Sequence, residues 1–106
     1  MRPSPDTSSR SRTTLKQQLA IDKQELAAAL AEIREGATIE RLLDDLLAPS
    51  ELRNLLLRWR LMKLLRRGVT QRAIASSLGI SLCKITRGSR LLKDPDSVVS
   101  KLIPPR

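Results

Sequence analysis

The chain has 106 residues, of which 20 are basic and 11 acidic, and its net charge is +9, so we expect a single hydrophobic core with a polyanionic partner. It has no histidine and one cysteine, Cys83, which excludes a disulfide framework, a Cys/His metal site and histidine-based catalysis. It also lacks a Gly-rich phosphate loop, a signal peptide and any apolar run of about 18 residues. We therefore expect a cytoplasmic protein that is not an enzyme and does not enter a membrane.

The positive charge is concentrated in one part of the chain. Residues 51–93 hold eleven cations against Glu51 alone, a net charge of +10, whereas residues 16–50 have a net charge of −3. Such a concentration is typical of a phosphate-binding surface. A membrane surface would attract it too, but the segment lacks the aromatic-rich apolar face of an interfacial helix. Trp59 is the only aromatic residue, and readers of single strands use several, so duplex DNA is favoured over RNA.

The first half of the chain predicts a tail and two helices. Residues 1–14 are rich in Ser, Thr, Arg and Pro, and we expect a disordered basic arm. Residues 15–35 have leucines at helical spacing, which predicts an amphipathic helix that Gly36 ends. Thr38 is a suitable N-cap for a second helix, which carries a continuous apolar stripe of Ile39, Leu42, Leu43, Leu46 and Leu47.

A third helix, over residues 50–67, is apolar around nearly its whole circumference. Pro49 is suited to its start and Gly68 to its end. A helix that is apolar on all sides must be buried on all sides, which a monomer of this size does poorly. We therefore predict an obligate homodimer centred on this helix.

Residues 70–93 predict a helix-turn-helix. The first helix, 71–78, places Ile74, Ala75 and Leu78 on one face, and Gly79 supplies the positive φ of the turn. Ser81 is a good N-cap for a recognition helix over about 81–92. The alternative is an αα-hairpin with a solvated basic face, but small Ala75 suits a steep helix crossing and favours DNA reading.

A short last helix is predicted after Asp94-Pro95, where the aspartate is a suitable cap and the proline a suitable first residue. Taken together, the patterns predict an all-α fold of about six helices, without strands. They place residues 15–106 in a single helical domain that carries the helix-turn-helix.

Gly88 suggests a second kind of site. It lies three positions after inward-facing Ile85, where helix-turn-helix units generally carry a bulky apolar residue. The missing side chain predicts a hollow under the recognition helix, beside Arg87 and near Arg58 of the third helix. Two guanidinium groups can sandwich an aromatic ring, at roughly 0.5–2 kcal/mol per face, and an arginine can pair with a carboxylate. The alternative is that Gly88 only accommodates packing and both arginines contact phosphates; periodicity alone leaves the two equal.

The sequence ITRGS at residues 85–89, followed by LK at 92–93, resembles the signature of the trp operon repressor family. The resemblance covers about residues 38–96 and includes Leu47-x-Pro49, Arg58-x-Arg60, Leu64-Leu65-Arg66 with Gly68 nearby, and Thr70-Gln71-Arg72. It implies an intertwined homodimer that uses L-tryptophan as corepressor and no other cofactor. That complex would bind the palindromic operator of the trp operon and prevent initiation of transcription.

The resemblance also implies residue roles. Arg58 and Arg87 would flank the indole, Arg87 would hold the carboxylate, and backbone carbonyls near Leu47 of the other chain would take the ammonium. The implied corepressor-binding residues are Leu47, Ala48, Arg58, Arg87, Gly88 and Leu91. The implied operator-binding residues are Gln71, Arg72, Ser81, Leu82, Cys83, Lys84, Thr86, Arg87, Arg90 and Lys93. In this set Lys84 could donate to guanine and Leu82 could meet a thymine methyl group.

Three departures from the family pattern leave alternatives open. Ala48 replaces the usual hydroxyl residue, Arg90 replaces an asparagine, and the loop between Gly68 and Thr70 is one residue shorter. The alternative within the same class is a trp-repressor-like DNA-binding regulator with a different effector or none. From another class, the chain could be a basic helical protein that docks on RNA or an assembly; preference for a palindromic duplex would separate the two.

Overall fold

A computed structural model describes residues 14–105 of the chain, and all regular secondary structure in that range is helical. Its six helices are α1 (Leu15–Glu32), α2 (Gly36–Leu46), α3 (Pro49–Arg66), α4 (Gln71–Leu78), α5 (Leu82–Lys93) and α6 (Val98–Leu102). The predicted all-α fold of about six helices is confirmed. None of these helices combines the length and hydropathy that a membrane span requires.

The chain divides into two compact units, one ending at Leu43 and the other running from Asp44 to Arg106. The first holds α1 and most of α2, and the second holds α3 to α6. The single domain predicted over residues 15–106 stays a prediction, as does the homodimer. The predicted disordered arm over 1–14 lies outside the described residues except for Thr14.

Thr14 belongs to the start of α1 rather than to a tail. Its Oγ1 accepts a hydrogen bond from the backbone N–H of Gln17 at 3.1 Å, and Gln17 Oε1 accepts one from the N–H of Thr14 at 2.9 Å. This reciprocal pair satisfies two donors that the first helical turn would otherwise leave unbound. None of the residues of α1 is buried, its leucines included.

The boundary between α1 and α2 differs from the predicted one. Ile33 takes an extended backbone conformation, with φ −83° and ψ 124°, so α1 stops before Gly36 is reached. Gly36 instead begins α2, and the carbonyl of Glu35 accepts hydrogen bonds from the N–H groups of Thr38 and Ile39. The predictions that Gly36 ends the first helix and that Thr38 caps the second are therefore wrong.

The core of the second unit is formed by Leu61 of α3, Ile74 of α4 and Ile85 of α5, each of which is at most 1% exposed. Around it pack the half-buried apolar residues Met62, Leu64, Leu65, Val69, Ala75, Leu78 and Ile80. One residue from each of three helices thus fixes the helix-turn-helix against α3.

The end of α3 is closed by backbone hydrogen bonds. The N–H of Gly68 donates to the carbonyl of Leu65 at 3.0 Å, and the N–H of Val69 donates to that of Leu64 at 3.1 Å. This six-residue closure, from Leu64 to Val69, requires a positive φ at its fifth residue, and Gly68 has φ 84°. The prediction that Gly68 ends the third helix is confirmed.

The helix-turn-helix follows the predicted boundaries closely. Thr70 caps α4 by accepting from the N–H of Ala73 at 3.2 Å, and Gly79 takes the left-handed conformation with φ 67°. Ser81 caps α5 by accepting from the N–H of Lys84 at 3.4 Å. The first helix is confirmed at 71–78, and the recognition helix extends to Lys93.

The last helix is held by side chains that sequence patterns did not indicate. Ser97, not Asp94, caps α6, and the Asp94 carboxylate instead accepts from the N–H of Asp96 at 2.9 Å in a turn. The half-buried Arg66 donates from Nε to the carbonyl of Ile103 at 2.6 Å and from Nη2 to that of Ser100 at 3.2 Å. The predicted cap at Asp94 is therefore wrong, and α6 is bound to the end of α3 by one guanidinium group.

Candidate functional site

A cavity of about 420 Å³ lies between α3 and α5, within the second unit. This volume falls within the range of roughly 300–1,000 Å³ that is usual for small-molecule sites. It is lined by Arg58, Leu61, Met62, Lys84, Arg87, Gly88 and Leu91. The cavity thus brings together four of the six predicted corepressor residues: Arg58, Arg87, Gly88 and Leu91.

The other two predicted residues, Leu47 and Ala48, do not line the cavity of this chain. Ala48 precedes α3 and has no side-chain acceptor for the first helical turn. Its own backbone N–H donates to the Glu51 carboxylate at 2.7 Å. Glu51 therefore provides half of a capping box, and no polar side chain is offered at position 48.

Gly88 is buried where α5 packs against α3. A Cβ atom at this position would lie 2.6 Å from Leu61 Cδ1 and 3.6 Å from Met62 Cγ. The first distance is well inside van der Waals contact, and Leu61 is itself in the core. The absent side chain therefore serves close helix packing, and the cavity lies beside that contact. A packing role was the alternative interpretation of Gly88. The close contact with Leu61 and the cavity occur side by side.

The helical spacing of α5 separates an inner face from an outer face. Lys84, Arg87, Gly88 and Leu91 recur at i, i+3, i+4 and i+7 and line the cavity against α3. A shallow outer groove of about 500 Å³ is lined by Leu82, Cys83, Thr86, Arg87 and Arg90. Arg87 alone belongs to both sets and therefore borders both the inner cavity and the outer groove.

The cavity lining is apolar with a strong positive charge. Its apolar members are Leu61, Met62 and Leu91, its cations are Arg58, Lys84 and Arg87, and it has no acidic residue. Burying an anion is favourable only where cations or hydrogen-bond donors compensate its lost hydration. The lining therefore fits a ligand with an apolar body and an anionic group. Within the described residues no cluster of three or more His, Cys, Asp or Glu could hold a metal ion.

The predicted operator residues occupy exposed positions. Besides those that line the outer groove, Gln71 and Arg72 begin α4, Ser81 caps α5 and Lys93 ends it, and all four are exposed. Lys84 is exposed too but lines the inner cavity, which the predicted corepressor set did not include. Its spacing of four residues from Gly88 was the signal that could have found it.

Arg66 shows that charge alone does not identify a phosphate contact. The sequence counts it among the eleven cations of residues 51–93, yet its guanidinium is bound to two carbonyl groups at the end of α6. Cations in the last turn of a helix favour carbonyl partners, but which carbonyls lie within reach depends on the tertiary fold.

The remaining face of α3 is apolar and open. A groove of about 410 Å³ is lined by Pro49, Leu52, Arg53, Leu56, Leu57 and Arg60. Leu55, Leu56 and Trp59 of the same helix are between 42% and 52% exposed. The core thus covers one side of α3, and apolar side chains on its other sides stay exposed in a single chain.

Comparison with known proteins identifies one family. The family model described as Trp repressor protein matches residues 22–103, which contain both the cavity and the helix-turn-helix. No curated protein and no solved structure matches the chain. A match over most of the chain shows that the protein belongs to the Trp repressor protein family of DNA-binding transcriptional regulators.

Proposed function

We propose that this protein is a repressor that binds L-tryptophan in the cavity between α3 and α5. In that complex it binds the operator of the trp operon as a homodimer and prevents initiation of transcription. The observation that carries the proposal is the position of the cavity, which lies directly under the recognition helix and is flanked by Arg58 and Arg87. A ligand at this place touches the helix that has to enter the major groove.

The cavity has the groups that an aromatic amino acid requires. Arg58 and Arg87 lie on different helices and can stack on the two faces of an indole, at roughly 0.5–2 kcal/mol per face. Arg87 can also bind the α-carboxylate, and Met62 and Leu91 give the ring an apolar wall. The ammonium is expected to bind backbone carbonyls near Leu47 of the second chain.

The helix-turn-helix of α4 and α5 forms the reading head of the protein. Its outer face suits duplex DNA. Arg87 and Arg90 flank an exposed groove that also holds Leu82, Cys83 and Thr86. Small and apolar side chains can meet thymine methyl groups, while the arginines reach guanine or phosphate. Gln71 and Arg72 at the start of α4, and Lys93 at the end of α5, are exposed and can bind the flanking backbone.

Ligand and operator are coupled through the placement of α5. In a two-fold symmetric dimer, two recognition helices must lie about 34–36 Å apart to reach successive major grooves. A ligand between α3 and α5 sets the tilt of α5 and hence this spacing. By linkage, the operator must then raise the affinity for the ligand by the same factor as the ligand raises the affinity for the operator.

The proposed dimer gives the uncovered apolar residues a partner surface. Leu55, Leu56 and Trp59 of α3 and Leu15 and Leu19 of α1 are at least 42% exposed in one chain. Burial of apolar surface stabilises association by about 25 cal/mol per Å². A second copy that covers these helices would also explain why a two-fold DNA site is expected.

Isothermal titration of the wild type with L-tryptophan, with D-tryptophan as control, tests the ligand. We expect one L-tryptophan per chain and an affinity loss of about 10- to 100-fold on Arg87→Ala, since charge-assisted contacts contribute roughly 1.5–3 kcal/mol. Fluorescence is less suitable because Trp59 overlaps the ligand signal. If Arg87→Ala leaves both ligand and DNA binding intact, the assignment of the cavity fails.

A second candidate is a trp-repressor-like regulator with a different effector or none. The observation that favours it is Ala48, which offers no side-chain acceptor at the start of α3. The same titration, run at two temperatures, decides between them, because absence of heat at about 1 mM ligand at both would exclude binding with a dissociation constant below the millimolar range. Binding to a palindromic duplex, compared with a scrambled duplex and a structured RNA, separates both candidates from a basic protein that docks on RNA.

A further inference from the structure

Helix α6 joins the end of α3 to the end of α5 by side-chain hydrogen bonds. On one side, the guanidinium of Arg66 donates to the carbonyls of Ile103 and Ser100 at 2.6 and 3.2 Å. On the other side, Ser97 Oγ donates to the carbonyl of Leu91 at 2.6 Å. We call this connection, formed by Arg66, α6 and Ser97, the strap.

The position of α6 depends on these bonds. The helix has five residues, none of which is buried, and Val98 and Leu102 are more than 60% exposed. A helix of this length is not stable alone in water, because too few hydrogen bonds offset the cost of ordering its backbone. The last carbonyls of a helix have no partner within it, so Arg66 binds groups that α6 leaves open. Loss of this guanidinium should therefore loosen α6 on α3.

The strap and the core hold α5 at two separate places. Ile85 lies in the core with Leu61, and the strap reaches Leu91, six residues further along α5. At a rise of about 1.5 Å per residue, these points lie roughly 9 Å apart along the helix axis. A helix held near one point can tilt about it, whereas a second attachment restricts the tilt. The strap therefore adds a restraint on the tilt of α5 to that of the core.

We propose that Arg66 is a positioning residue for operator binding, which fixes the tilt of the recognition helix through α6 and Ser97. Arg66 lines neither the cavity nor the outer groove, so it acts on DNA indirectly. The first turns of a recognition helix contact base edges, and their reach into the major groove depends on its tilt. The inference rests on the proposed function, because it takes α5 as the recognition helix of a homodimer.

Arg66→Met tests the strap with two duplexes: a palindromic one that the wild type selects from a random pool with L-tryptophan present, and its scrambled version. Affinity should fall about tenfold for the palindrome and less than about threefold for the scrambled duplex, because phosphate contacts tolerate a changed tilt better than base contacts. Arg66→Lys, which keeps the charge and a donor, should recover part of the loss. The matched control, Arg67→Met at the exposed neighbour, should leave the ratio of the two affinities unchanged.

Two further measurements separate positioning from a purely structural role. A nitroxide on exposed Cys83, the only cysteine, reports the position of α5, and the distance between the two labels of a dimer should be more broadly distributed in Arg66→Met than in the wild type or Arg67→Met. Ser97→Ala breaks the strap at its other end. Because the two links act in series, Arg66→Met with Ser97→Ala should bind the palindrome within about twofold of the weaker single variant.

The outcomes distinguish this inference from the proposed function. If the wild type does not discriminate between the duplexes, or is monomeric, the proposed function fails and the inference with it. If the wild type discriminates but Arg66→Met keeps its affinity for the palindrome and its label distribution, only the strap is overturned. Equal losses on both duplexes, as in Arg67→Met, would mean that Arg66 acts through its charge and would also overturn the positioning role.

Discussion

Helices α1 and α5 differ in what holds their apolar side chains. α1 has 18 residues and buries none of them, and Leu15 and Leu19 are more than half exposed. α5 is shorter, with 12 residues, yet Ile85, Gly88 and Leu92 are buried. α5 is therefore fixed by contacts within its own chain, while the leucines of α1 stay exposed in a single chain.

This difference separates two kinds of stability. Packing inside one chain gives α5 a defined position at any protein concentration. Surface that a second copy would cover in the proposed dimer would make stability depend on protein concentration, because association stabilises more as the concentration of free partner rises. The comparison predicts that substitutions in α5 lower the free energy of unfolding, whereas substitutions in α1 weaken association.

The largest effect is expected from the core of the reading head. Ile85→Ala should lower the free energy of unfolding by about 2–5 kcal/mol, because a fully buried side chain leaves a cavity. Urea denaturation at several protein concentrations measures this. Leu82→Ala, on the exposed side of the same helix, is the control and should change stability by no more than about 0.5 kcal/mol. Equal losses for both variants would contradict the placement of α5.

The next effect should be a weaker association of two chains, with the folding of the helix-turn-helix unchanged. Leu19→Lys in α1 and Leu56→Lys in α3 each place a charge on an exposed apolar face and should weaken the proposed dimer by at least about 2 kcal/mol, or roughly 30-fold. Sedimentation equilibrium measures the dissociation constant. Gln24→Lys, a polar and exposed residue of α1, is the matched control. A wild type that is monomeric at all concentrations would refute the dimer.

A smaller effect should come from the contact between Gly88 and Leu61. Gly88→Ala gains about 1 kcal/mol of helix propensity but pushes a Cβ into Leu61, which costs about 1–3 kcal/mol. We expect a net loss of stability together with weaker ligand binding. A double-mutant cycle with Leu61→Ala measures the coupling, since the smaller side chain at 61 should remove most of the clash. Additive effects would show that the two residues do not meet.

The last effect on stability should be confined to α6. Arg66→Met removes two hydrogen bonds to the carbonyls of Ser100 and Ile103, and we expect α6 to open more readily at a cost of about 1–2 kcal/mol. Amide hydrogen exchange should speed up in α6 and stay unchanged in α4. Arg67→Met, at the exposed neighbouring arginine, serves as control. Uniform acceleration across all helices would mean that Arg66 supports the whole unit.

Local signals made the helix-turn-helix predictable. Gly79 and Ser81 fix a turn and a helix start within a few residues, and both behave as their chemistry requires. Asp94-Pro95 carried an equally good local signal, but Ser97 took the cap because its hydroxyl also donates to the carbonyl of Leu91. Such competition is decided by packing, which a sequence pattern does not contain.

The candidate site was predictable only in part for the same reason. The missing side chain at Gly88 suggested a hollow beside Arg87 and Arg58, the family resemblance added Leu91, and the fold brings all four to one cavity. The family resemblance assigned Lys84 to DNA, yet it lines the cavity. Its inward position depends on the rotation of α5 against α3, which is set by the close approach at Gly88.

The junction between α3 and α4 determines how the reading head can move. Gly68 and Val69 both donate backbone hydrogen bonds to the last turn of α3, and Thr70 already caps α4. A hinge needs residues whose φ and ψ can change without the loss of such bonds. α3 and α4 should therefore move together as one rigid body. Any change in the tilt of α5 then has to occur at its packing contact with α3. The cavity lies at this contact, so a molecule that enters it would act directly on the tilt of α5.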